Sequence, residues 1–398
     1  MKLRLPVSAL TDAVSYTAKA LPSRAPVPVM LGMLLATHDG GLRLSAADGE
    51  VYTSATVSAE IADDGTALVP GRLLADICSR LPKTADVDLE LVDGDTRLVV
   101  GCGTARFTLP LLPVDEYPAT VALPDAIATV QADVLAEAVA QVAVAASTDT
   151  ALPALTGIKL RLDGELLHLN ATDRYRMAHK ELTVRPTGTL PAPTKRGKKK
   201  DSEDGAVALV PAKNLAEAAK ALEGEHVLTL HWSEGLLGLS IPGGRTYMTR
   251  LLDGYEFPKM DGFFGGEWPM TLSLPVAEAV AALQRVALVA TRNTPVRLVV
   301  EPGGEQLRIE AGSGDDAQAS DRIPAHTTGQ ADNDGADTEG LVLAFNPQFL
   351  TDALKALGTS EAELRVRHPH KPAYLAGRLG DDIDATYQHL VMPVRLSG

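Results

Sequence analysis

LTDAV at residues 10–14 returns as LAEAV at 135–139 and as VAEAV at 276–280. Apolar residues at i, i+3 and i+4 put one buried face on a helix, so each stretch predicts an amphipathic helix of the same kind. A second helical signature follows each one: Leu74-Ala75-Asp76, Leu215-Ala216-Glu217 and Leu350-Thr351-Asp352, with a leucine seven residues on at Leu81, Leu222 and Leu357. Pro70, Pro211 and Pro347 precede these second helices, where the missing N–H costs nothing. One unit is written three times.

Between the two helices of each copy the sequence alternates around a turn: MLLATHDGGLRL (33–44), IKLRLDGELLHL (158–169) and VRLVVEPGGEQLRI (296–309). Period-2 patterning around Asp39-Gly40, Asp163-Gly164 and Gly303-Gly304 predicts β-hairpins. More short strands follow the second helix, ending in TARFTLPLLP, GRTYMTRLLDG and DATYQHLVMPV. Each copy is then helix, strands, helix, strands, which predicts an α+β fold of three tandem domains at 1–124, 125–262 and 263–398. Leu10 and Leu135 are 125 residues apart and Val276 follows 141 later, so the second copy holds an insertion. The Lys-rich TKRGKKKDSEDG at 194–205 accounts for it as a surface loop. The chain closes on HLVMPVRLSG, 389–398, an apolar end that stays ordered only as a strand or as the wall of a pocket, and the third copy leaves it at a boundary.

A net charge of −14 argues against a protein that coats nucleic acid with its whole surface, while leaving local basic faces open. No apolar run reaches the length of a membrane helix, and MKLRLPVSAL lacks a signal peptide's apolar stretch, so the expectation is a cytoplasmic protein without membrane contact. Cys78 and Cys102 have no metal-ligand spacing and read as reduced thiols.

Three such units, with ATDRYRMA (171–178) in the middle copy and LVMPVRL (390–396) at the end, resemble the bacterial DNA polymerase III β sliding clamp family, of actinobacterial type, over essentially the whole chain. The resemblance implies a head-to-tail homodimer closing a six-domain ring around double-stranded DNA. Helices would line the hole and hold DNA without reading its sequence, and the protein would be nucleoid-associated. Closure turns binding into topology, so screened phosphate attraction suffices. It implies a non-catalytic processivity subunit with no cofactor and no metal. The candidate DNA-facing cations are Arg24, Arg72, Arg80, Lys83, Lys213, Lys220, Arg285 and Arg292, with Lys19 and Lys355 beside them. Arg24 matches the position of a DNA-contacting arginine of that family. The first helix of the middle copy carries no cation.

The family's terminal strand and ATD-x-x-R segment form a cleft for short peptide motifs of the polymerase, the clamp loader and repair proteins. Carried over position by position, its wall is Leu155, Thr172, Arg174, Tyr175, Arg176, Met177, Pro258, Leu390, Val391, Met392, Pro393, Val394, Arg395 and Leu396. Apolar side chains with a few polar groups suit such recognition, and methionine adapts to differing partners. Two departures stand out: FPKMDGFF (257–264) puts Gly262 and Phe263 where family members often carry a cation and a small aliphatic, and two residues follow the terminal leucine. They raise a second hypothesis, a diverged clamp paralogue that excludes a cyclic-peptide inhibitor aimed at this pocket.

Other chemistry finds less support. GCGTAR (101–106) and GSGDDA (312–317) lack the third glycine of a dinucleotide turn, and DNDGAD (332–337) puts Leu341 where a calcium loop needs its bidentate acid. His368 and His370 in RHPHKP have no nearby cysteine or carboxylate to complete a metal site. The alternative from another class is an α+β enzyme or ligand-binding protein acting in an inter-domain cleft.

Overall fold

A computed structural model of the chain describes residues 1–25, 27–118, 121–188, 206–222, 224, 226–260, 262–290, 294–312, 317–332 and 341–395. The Lys-rich loop 194–205, Arg292, Leu396 and most of DNDGAD therefore lie outside the described residues. All six anticipated helices form: α1 Val7–Thr17, α2 Gly71–Arg80, α3 Ala132–Ala143, α4 Ala212–Ala219, α5 Val276–Val286 and α6 Pro347–Ala356. In α1 the repeat residues Leu10, Ala13 and Val14 are buried as the spacing requires, each large apolar side chain contributing roughly 1.5–3 kcal/mol. In α5 the buried set slides along to Ala279, Ala282, Leu283 and Val286, leaving Val276 and Val280 half-buried.

The prolines do not all act alike. Pro70 and Pro211 occupy the N-cap positions of α2 and α4, whereas Pro347 is the first helical residue of α6. There Asn346 caps the helix, its Oδ1 accepting from the backbone N–H of Gln348 (2.9 Å) and Phe349 (3.2 Å).

The chain divides into two compact units: Met1–Asp133 with Val184–Arg196 and Ala221–Leu251, and Val134–Thr183 with Gly197–Lys220 and Leu252–Gly398. In the first, a five-stranded antiparallel sheet centred on Asp86–Val92 accompanies a nine-stranded one. The latter joins strands of two sequence copies, because Val51–Ser58 pairs antiparallel with Arg245–Arg250. Helices α1 and α2 pack together in this unit. The second unit repeats the device: a ten-stranded sheet joins the middle and last copies through Arg176–Thr183 and Tyr387–Val391, beside a four-stranded sheet. Here α5 packs on α6.

The three anticipated hairpins are present, with Asp39 (φ 47°) and Gly40 (φ 77°) turning the first in the left-handed region that two-residue loops demand. The C-terminal strand departs from expectation. Tyr387–Val391 has Arg176–Thr183 on one side and Ala373–Leu379 on the other, so it lies inside the sheet, not at its boundary.

Candidate functional site

The ATD-x-x-R segment is the turn between Leu166–Thr172 and Arg176–Thr183, and its own side chains build it. Asp173 Oδ1 accepts from the backbone N–H of Tyr175 (2.9 Å) and Arg176 (3.0 Å), while Thr172 Oγ1 donates to Arg176 O (2.7 Å). Arg174 sits at φ 80°, a left-handed conformation an L-residue adopts at a cost. Tyr175 is thereby lifted out, 56% exposed, with its ring stacked 6.3 Å from Phe349 at the start of α6.

Arg176 takes the opposite course. Its Nε reaches Asp173 (3.0 Å), its Nη1 reaches Asp352 of α6 (2.9 Å), and its guanidinium lies over the Phe349 ring at 4.4 Å. With its side chain only 11% exposed, Arg176 ties the turn to α6 and offers no open wall.

The terminal strand brings the apolar residues in. Met177 faces Leu390 across the strand pair, and Arg176 faces Val391. Past Val391 the chain leaves the sheet: Met392 N–H donates to Tyr175 O (2.8 Å) and Val394 N–H to Ala344 O (2.7 Å). Met392 and Val394 stay exposed, whereas Leu390 and Val391 are buried. Thus Thr172, Tyr175, Met177 and 390–394 are assembled in one place. Leu155 is buried in the turn Pro153–Thr156, and Arg395 and Pro258 are exposed.

The two neighbouring aromatics of this segment go different ways. Phe263 is 44% exposed, whereas Phe264 and Trp268, like Met177, pack on the buried cluster of Tyr374, Ala376 and Leu390. Phe264 lies 5.8 Å from the His179 ring and Trp268 lies 5.3 Å from Tyr374. Arg367 staples this segment, donating to Gly265 O and to Glu267 O (2.8 Å) and lying 3.8 Å over the indole. Gly262 is at φ 81°, so a cation in its place would carry a strain of about 1–2 kcal/mol.

The candidate DNA-facing cations separate into two groups. Arg72 is committed to the backbone, its Nη2 donating to Leu21 O and Pro22 O (3.2 Å each), and Arg285 pairs with Asp321 (2.6 Å). Lys19 lies over Tyr16. Arg24, Arg80, Lys83, Lys213, Lys220 and Lys355 are exposed and, among the described residues, have no carboxylate partner. Helix α3 has no basic residue in its last turn and an acid, Asp133, in its first. Both cysteines are free and buried, and burial pushes the Cys78 thiol up to about 12, so it is not reactive.

The chain matches the family models for the N-terminal (residues 1–122), central (129–259) and C-terminal (269–395) domains of the DNA polymerase III beta subunit. It is 44% identical to a beta sliding clamp of Streptomyces coelicolor, with 100% of each chain covered. It is 37% identical to the beta sliding clamp homolog GriR of Streptomyces muensis, with 99% of each covered. The fold matches the Pseudomonas aeruginosa DnaN sliding clamp bound to griselimycin at a TM-score of 0.85 and 23% identity, with 100% of each chain covered. Three tandem domain matches in order, together with full-length identity to a curated clamp, place this chain in the DNA polymerase III beta subunit family of sliding clamps.

Proposed function

We propose that the protein is a non-catalytic processivity clamp, a head-to-tail homodimer that encircles duplex DNA in the cytoplasm and tethers the polymerase, the loader and repair proteins by short peptide motifs. Its domains are 1–124, 125–262 and 263–398. The observation that carries this reading is the terminal strand zipped against Arg176–Thr183, which sets Met177, Leu390 and Met392 around one turn. A loader-dependent primer-extension assay tests it, together with retention on closed circular DNA and release when the circle is cut. A monodisperse monomer that is not retained would overturn the ring. Reversing charge at Arg24 and Arg80, two exposed cations, is expected to reduce retention with the dimer intact. The deficit should be largest at low salt and narrow as salt rises, because a clamp with fewer phosphate contacts releases fewer counterions and has a shallower salt dependence.

The peptide site has a testable asymmetry. Met177→Ala and Met392→Ala trim the site's side chains without touching the backbone, and each is expected to weaken a polymerase-derived clamp-binding peptide by about ten- to hundredfold, roughly 1–3 kcal/mol. Phe264 instead packs on the same buried cluster of Tyr374, Ala376 and Leu390 that Met177 packs on, ground that a bulky cyclic ligand would need. This supports the reading of a diverged clamp that excludes such an inhibitor. Phe264→Ala is expected to raise the affinity for griselimycin about tenfold, measured by calorimetry. Unchanged affinity would remove Phe264 from the explanation, and unchanged peptide binding in both methionine variants would remove the site.

A further inference from the structure

The hairpin Leu166–Thr172 and Arg176–Thr183 carries polar chemistry that peptide recognition does not use. Its register pairs His168 with Glu181 and Asn170 with His179. Side chains alternate along a strand, so all four stand on one face. His168 Nδ1 lies 3.1 Å from Glu181 Oε1, and His179 Nε2 lies 3.2 Å from the same oxygen. The three donor atoms all fall within 4.8 Å of one another. We propose that His168, His179 and Glu181 form a binding site for a divalent transition metal of the zinc class.

Hydrogen bonding among the described residues leaves one nitrogen of this cluster, His168 Nδ1, unsatisfied. His179 Nδ1 lies 2.8 Å from Asn170 Oδ1, an amide oxygen that only accepts, so Nδ1 carries the proton. Nε2 then meets Glu181 Oε1 at 3.2 Å either as the second N–H of a charged imidazolium or, in the neutral ring, as a lone pair open to a cation. His168 has a side chain only 8% exposed, and although its Nδ1 is close to Glu181, the direction is wrong for a hydrogen bond and the buried nitrogen has no hydrogen-bond partner among the described residues.

The donor spacing fits as well. Bonds of about 2.0–2.2 Å at tetrahedral angles set ligand atoms about 3.3–3.5 Å apart, close to the two contacts present. Two imidazoles and one carboxylate are a borderline donor set, suited to Zn²⁺ and Co²⁺ and poorly to Mg²⁺ or Ca²⁺. Asn170 supplies the outer hydrogen bond that orients a metal-binding histidine. Arg161, in register with His168, opposes a cation, but Asp163 lies 3.3 Å from its Nη1 and offsets it. Three protein ligands leave a fourth position for water. Because Phe264 rests on the His179 ring, the metal would sit beside the apolar floor and brace it.

The test is a titration of tag-free, chelator-treated full-length protein with Co²⁺ and Zn²⁺. The expected result is one Co²⁺ per chain, visible as tetrahedral d–d absorption, displaced by Zn²⁺ and accompanied by a rise in Tm. Glu181→Gln and His179→Ala are expected to weaken binding by at least about tenfold. His326→Ala, outside the cluster, should bind as wild type does. His168 is buried, so its variant can misfold; Glu181, 39% exposed, is the variant on which the proposal stands. Absence of saturable binding at micromolar metal, or unchanged affinity in Glu181→Gln, would overturn the site whatever the clamp does on DNA.

Discussion

Arg176→Ala is expected to destabilise the unit it occupies by roughly 3–5 kcal/mol, read as a lowered denaturant midpoint, because it strands two carboxylates that have lost their common cation. Asp173 and Asp352 keep side-chain exposures of 12% and 24%, so water replaces the guanidinium poorly. The loss includes the cation–π contact with Phe349. Among the described residues Asp352 keeps Gln348 Nε2 at 2.7 Å, a neutral donor that does not neutralise it. The nearby Arg174 supplies the contrast. It is exposed and held at φ 80°, so Arg174→Gly is expected to be neutral or mildly stabilising. Equal destabilisation by both variants would mean that the turn, and not the ion network, carries the effect. One motif thus holds an arginine that builds the site beside another that is free to meet a partner.

Much of this architecture was legible because the information is local. Helix spacing at Leu10, Leu135 and Val276, and turn residues such as Asp39-Gly40, act within a few positions. Strand partners act across the chain. Arg245–Arg250 pairs with Val51–Ser58, and Tyr387–Val391 with Arg176–Thr183, yet alternation names a buried face and never the neighbour. That is why three sequence copies appear as two compact units whose large sheets run from copy to copy. Phe264 and Trp268 escaped for a related reason: they sit in GFFGGEW, which has no period, and are placed by Arg367, about a hundred residues on. Arg72 and Arg285 read as free cations in sequence, whereas backbone carbonyls and Asp321 occupy them in the fold. His168 and Glu181 become neighbours only through register.

The terminal strand also carries a pH liability, and the second large effect is expected there. His389 is fully buried, and its Nδ1–H donates to the Tyr387 hydroxyl (2.9 Å), which donates in turn to Gln141 O of α3 (2.9 Å). Its Nε2 is then a buried lone pair with no hydrogen-bond partner among the described residues. Desolvation first, and the charge of Arg176 second, push its pKa down to about 3. The unfolded chain protonates near 6.5, so between these values it binds the proton and the fold does not. Stability is therefore whole above about pH 6.5 and falls as the pH drops toward 3, by about 1.4 kcal/mol per unit, or roughly 2–3 kcal/mol at pH 4.5. Burial lowers His168 and His179 too, adding to the same window, so the difference from a variant isolates the residue. His389→Leu removes both the titration and the orphaned nitrogen. Its urea midpoint is expected to match or exceed wild type at pH 7 and to fall less steeply below pH 6.5; parallel profiles would mean that His389 gains its proton without leaving the sheet. Because Leu390 lies on that strand and Met392 directly follows it, peptide binding is expected to fail over the same acid range and to persist further into acid in the leucine variant.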